Sequence, residues 1–272
     1  MRPPGGAPLQ AMKIIDVHTH AFPDNIAAKA VRQLAAKTGP YRPLTDGTVS
    51  GLLASMDAAG ITSAFLLNVA TRPGQADAIK AWSGRIASDR IIPAGSIHPD
   101  SSGWRSELAG FKAAGMRAVK FHPMYQGFSV DEPRMLPVYE AIRDAGMFAV
   151  FHSGYDIVFP GDRRSSPDKF GPVLKALPGI KIVLAHFGGW SDWEAVLEHV
   201  CGRDVFIETS FIREVPAALR DRIFSAHDRN RFLFGSDCPW GGQAEQVRFI
   251  ESLKSINDDF KEGIFHRNAS LL

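Results

Sequence analysis

The chain has 272 residues, 45% hydrophobic and 22% charged, with 31 basic and 29 acidic side chains and a net charge of +2. These proportions argue against disordered, collagen-like and coiled-coil classes and fit one large folded domain. A near-neutral balance without a basic run offers no attraction to nucleic acid or to an anionic membrane surface, so the expected partner is a small molecule. Cys201 and Cys238 stand far apart and outside any CxxC spacing, which argues against a disulfide framework and fits a reducing cytoplasm. No apolar run reaches the roughly 18 residues of a membrane helix, and the first residues lack the apolar stretch of a signal peptide. A homodimer is compatible with this reading, although no residue demands one.

Residues 1–11, rich in Pro and Gly, read as a flexible lead-in, with Met12 as the expected natural start. From 12 to 272, short apolar runs alternate with longer amphipathic ones. Strands are predicted over 13–17, 63–68, 91–97, 118–121, 148–151, 181–185, 205–208 and 232–234. Helices are predicted over 49–59, 74–88, 104–114, 132–145, 167–176, 193–200, 217–226 and 243–256. Ser166, Pro167 and Asp168 supply an N-cap, a first-position proline and a first-turn carboxylate. Gly60, Gly115, Gly146 and Gly179 each fall between a helix and the next strand, where a left-handed residue ends a helix. Eight strand–helix units without a composition break predict a single (β/α)8 TIM barrel of class α/β. A doubly wound sheet is the alternative; no GxGxxG or GxxxxGK[ST] supports its nucleotide-binding forms.

In such a barrel, chemistry is built from the C-terminal ends of the strands and the loops that follow. His18 and His20 end strand one, two residues apart on one face, with Cα atoms roughly 6.6 Å apart. Ring closure brings Asp237 of strand eight beside that pair, and His152 of strand five approaches across the mouth. Three imidazole nitrogens and a carboxylate suit a divalent ion, Zn²⁺ first and Mn²⁺ second, with room for water or substrate. Lys120 and His122 share a face of strand four, where His122 can reach substrate.

The ordered series Ile15-Asp16-Val17-His18-Thr19-His20, Phe151-His152, Leu184-Ala185-His186-Phe187-Gly188-Gly189 and Phe234-Gly235-Ser236-Asp237-Cys238-Pro239-Trp240 resembles the amidohydrolase superfamily. The likeness spans nearly the whole chain and is greatest for the branch that includes aminocarboxymuconate semialdehyde decarboxylase and pyrone dicarboxylate lactonase. It implies a (β/α)8 barrel and a metal held by His18, His20, His152 and Asp237, with His186 behind the ligands or acting on substrate. Lys120 departs from the decarboxylase pattern. In binuclear members a carbamylated strand-four lysine bridges two metals, so one ion is expected and two stay open. The other reading of Lys120 is an ion pair in the barrel mouth or a grip on a substrate carboxylate.

A divalent ion lowers the pKa of bound water and polarises a carbonyl, so hydrolysis of an amide, lactone or ester is the expected reaction. Asp237 is the expected base and His186 the expected oxyanion partner. Non-oxidative decarboxylation of a small carboxylic acid uses the same ligand set and stays open, as does an inactive metal-binding barrel. Arg72, Arg163, Arg164 and Arg213 fall in predicted loops, where a guanidinium can clamp a carboxylate. The loop 153–166, carrying Tyr155, Asp156 and Phe159, reads as a lid or specificity loop, and Trp190 and Trp240 as walls of the site.

Overall fold

A computed structural model describes residues 13–272; the expected lead-in over 1–11 and Met12 lie outside the described residues. All eight predicted strands form: β1 (Ile15–Thr19), β2 (Ser63–Leu66), β3 (Ile91–Pro93), β4 (Ala118–Phe121), β5 (Phe148–Phe151), β6 (Lys181–Leu184), β7 (Phe206–Glu208) and β8 (Phe232–Leu233). β1–β2–β3 pair in one parallel ladder and β4 to β8 in another. Parallel bridges Gly95↔Val119 and Thr19↔Cys238 join the ladders at both edges. The ring is a (β/α)8 barrel. At the second seam, Val17 N donates to Phe234 O at 2.9 Å and Asp237 N to His18 O at 2.8 Å.

Some boundaries differ from expectation. β1 starts at Ile15 and runs to Thr19, and β3 stops at Pro93, beyond which Ala94 N donates to Leu66 O and Gly95 N to Ala118 O, each at 2.9 Å. The eight predicted helices appear as α2 (Val49–Ala59), α3 (Ala76–Ile86), α4 (Trp104–Ala113), α6 (Leu136–Asp144), α7 (Phe170–Ala176), α8 (Trp193–His199), α9 (Ala217–Ala226) and α10 (Gln243–Ser252). Three more are added: α1 (Asp24–Ala35) in the loop after β1, α5 (Pro123–Gln126) after β4, and α11 (Asp258–Phe265) near the end. Ser166 does not cap as expected: its hydroxyl donates to Asp168 Oδ1 at 2.5 Å, and Pro167–Lys169 form a 3-10 turn before α7.

Strand alternation divides the core in two. Ala118, Phe148, Val150, Val183, Phe206 and Leu233 fill the barrel interior. Val119, Phe121, Ala149, Phe151, Ile182, Leu184 and Ile207 face outward onto the helices. This alternation, set by the two-residue period of a strand, decides which side chains reach the mouth.

Candidate metal centre

Continuing the inward positions gives Lys120 and His122 after Ala118, His152 after Phe148 and Val150, and Glu208 after Phe206. His186 and Asp237 lie past regular pairing, with left-handed backbone at φ 61° and 60°. A non-glycine residue held there costs about 1–3 kcal/mol, a strain that clusters at functional sites.

His18 Nε2, His20 Nε2 and Asp237 Oδ1 converge: the two nitrogens are 3.1 Å apart and each is 3.2 Å from the oxygen. Outer partners assign the imidazole protons. His18 Nδ1 donates to Glu208 Oε1 at 3.0 Å, His20 Nδ1 to Leu67 O at 2.8 Å and His152 Nε2 to Tyr155 O at 2.9 Å. His186 Nδ1 donates to Ser210 Oγ at 2.9 Å, whose own proton goes to Glu208 Oε1 at 2.6 Å. The inward nitrogens therefore carry lone pairs, including His152 Nδ1 and His186 Nε2, which face each other at 2.9 Å with no proton between them. Lone pairs aimed at one another repel, and a cation among them turns the repulsion into attraction. The donor set thus fits a divalent metal, with outer hydrogen bonds fixing ligand orientation.

Burial pushes His18 and His186 well below the ordinary imidazole range and His152 down to about 3, which keeps all three neutral and able to ligate. Lys120 is buried with Nζ 3.4 Å from His18 Nε2, and burial lowers its pKa to about 8, so it stays largely protonated at neutral pH. The expected ion pair of Lys120 does not form among the described residues, because Glu208 and Asp237 direct their oxygens to the histidines.

Glu208, which the sequence reading did not single out, is fully buried and also accepts His186 N and Ser210 N, each at 2.6 Å. Burial raises its pKa to about 7, opposed by these donors. Its signal in the sequence is the inward register set by Phe206. A Cβ on Gly235 would lie 2.0 Å from Glu208 Oε2, so glycine there makes room for the carboxylate. Asp16, also buried, accepts His18 N at 3.1 Å, Ser236 N at 3.0 Å and Gln243 Nε2 at 2.9 Å, tying β1 to the loop that carries Asp237.

His122 Nε2 lies 3.2 Å from Asp156 Oδ2, and its ring stacks on His152 at 4.2 Å. A cavity of about 610 Å³ opens over the cluster and is lined by His18, His20, Lys120, His122, His152, His186 and Asp237. Arg72, Trp190 and Trp240 also line it. The other expected clamps do not reach it. Arg163 turns to Asp192 at 3.1 Å and to the Tyr155 hydroxyl, Arg164 to Asp162 at 3.3 Å, and Arg213 to Glu245 at 2.8 Å. Arg164 finds its acid in its own loop, Arg163 and Arg213 find theirs on segments distant in sequence, and Tyr155 leaves the cavity wall with Arg163.

The sequence profile of the family described as Amidohydrolase matches residues 15–271. The chain belongs to the amidohydrolase family. No protein of curated function matches this amidohydrolase by sequence. Solved structures with its fold include a TIM-barrel protein of Bordetella bronchiseptica, described as uncharacterised, at 20% identity and TM-score 0.75, covering 96% of this chain and 98% of that one. Another is 5-carboxyvanillate decarboxylase of Novosphingobium aromaticivorans with bound manganese, at 14% identity and TM-score 0.71, covering 97% of each. A third, described as a probable 2-pyrone-4,6-dicarboxylic acid hydrolase of Acinetobacter baumannii, has citric acid bound; it is 17% identical with TM-score 0.60, covering 95% and 98%. Among the described residues no helix of the amidohydrolase is long and apolar enough to cross a membrane.

Proposed function

We propose that this amidohydrolase is a metal-dependent hydrolase of small carboxylated molecules bearing an amide, lactone or ester. The observation that carries the reading is the convergence of His18 Nε2, His20 Nε2 and Asp237 Oδ1 within 3.2 Å, their protons assigned outward. His18, His20, His152 and Asp237 would hold the ion, Zn²⁺ by preference for this donor set and Mn²⁺ as the alternative. When bound, a divalent ion there lowers the pKa of water and polarises a carbonyl.

The chain's own residues supply the rest. Asp237 takes a proton at the edge of the cluster and returns it to the leaving group. Lys120, cationic and buried, meets a substrate carboxylate or the developing oxyanion. His186 suits the oxyanion role less well, because its Nδ1 proton is committed to Ser210 and Nε2 offers a lone pair; it serves as a ligand or proton acceptor. Arg72 and Trp240 line the same cavity, where they can contact substrate.

Non-oxidative decarboxylation is the second reading, supported by the buried Lys120 cation beside the cluster and by the decarboxylase of like fold. Metal content per chain tests the common premise. One ion in the parent, lost in His18→Ala and kept in Lys120→Ala, is expected. Two ions, one lost in Lys120→Ala, favour a binuclear hydrolase, and no metal in any sample overturns the proposal.

A further inference from the structure

We propose that the substrate is an amphiphile, its polar head at the histidine cluster and an apolar tail between α1 and α3. This rests on reading the cluster as a metal-dependent site and goes beyond it by naming what fills the rest of the cavity. α1 is an additional helix over the mouth, and it turns Ile26, Ala30 and Leu34, four residues apart, towards the cavity. α3 turns Ala78, Ile79 and Trp82 towards the same space. No ionisable side chain of either helix lines it.

Two observations identify the occupant as part of the substrate. The apolar gallery and the cluster are one cavity joined at Leu67, whose carbonyl holds His20 at 2.8 Å while the residue itself lines the floor. The volume of about 610 Å³ lies in the range that encloses a drug-sized ligand, more than an acid of a few carbons occupies. Ile26 is 45% exposed, and Leu34 and Ile79 are half-buried, so a hydrocarbon chain laid there removes apolar surface from water on both partners.

The test uses linear alkanoates from butanoate to decanoate, kept below aggregation, titrated by calorimetry into metal-loaded protein. Affinity is expected to rise by up to about fourfold per added methylene. The slope should shrink in Leu34→Ala/Ile79→Ala and in Ile26→Asn, which changes a solvent-exposed position, and persist in Leu44→Ala, an exposed residue outside the cavity. A flat series in the parent, or a slope unchanged by the α1 and α3 variants, overturns the proposal. So does a flat series together with dimerisation that Leu34→Ala weakens, since the face is then a subunit contact. A slope that is present but indifferent to chelator supports the gallery and counts against the metal reading alone.

Discussion

The Glu208 carboxylate accepts the Nδ1 proton of His18 at 3.0 Å and so decides which nitrogen of that imidazole faces the cavity. Through Ser210 the same oxygen sets the tautomer of His186. Two inward lone pairs thus depend on one buried acceptor. Glu208→Gln keeps the shape but replaces a carboxylate that accepts four hydrogen bonds with an amide. A fall in metal affinity of about 10- to 100-fold is expected, as for other outer-sphere partners. Competition with a chromophoric chelator measures it, and unchanged affinity would falsify the role assigned to Glu208.

Gly235, just past the end of β8, is the counterpart of that carboxylate on β7. Gly235→Ala would place a methyl 2.0 Å from Glu208 Oε2, and the two strands cannot part without opening the barrel wall. The expected cost is about 1–3 kcal/mol of stability, typical of overpacking, together with weaker metal retention. Urea denaturation reads the first and metal analysis the second; a variant matching the parent in both contradicts the account.

Asp237→Asn removes the proton acceptor at the cluster edge, and kcat is expected to fall by about 100- to 10,000-fold. Once a turned-over substrate is in hand, running the parent reaction in ¹⁸O-water separates the two chemistries. Hydrolysis leaves one solvent oxygen in the new carboxylate. Decarboxylation leaves none there, releases carbon dioxide and adds a solvent hydrogen to carbon.

Much of this was legible beforehand, and what was not has physical causes. The eight strands announce themselves because a buried parallel sheet needs short runs of Val, Ile, Leu and Phe, as in Phe148–Phe151. His18, His20, His152 and Asp237 stand out as polar residues ending such runs. Glu208 carried the same signal two residues after Phe206 but lacked a histidine's prominence. α1 was legible in the spacing of Ile26, Ala27, Ala30, Val31 and Leu34, yet it adds a helix to a repeat that eight already complete. The loop arginines could not be resolved by pattern, because Arg163 and Arg213 follow the carboxylates of Asp192 and Glu245, which approach only in three dimensions.

His227 lies away from the cluster and gives a pH prediction free of metal. Its Nε2 donates to Val205 O at 2.9 Å, its Nδ1 accepts Gly202 N at 3.2 Å, and burial holds its pKa below the ordinary 6.5. Below that value the unfolded chain takes up a proton that the folded chain refuses, so this stability is lost as pH falls. His227→Gln is expected to lessen the drop in Tm between about pH 7.5 and about pH 5.5. A drop as steep as the parent's, followed by circular dichroism, contradicts it.

The seam where β8 meets β1 also carries the cluster, with Asp237 N donating to His18 O beside the two histidines. A chain emerging from the ribosome displays His18 and His20 long before Asp237 is made. If that pair ligates as proposed, it stays an incomplete chelate until the last strand docks, and tight loading would report completed synthesis. An ion held across the seam would then rivet the first strand to the last and slow the ring's reopening.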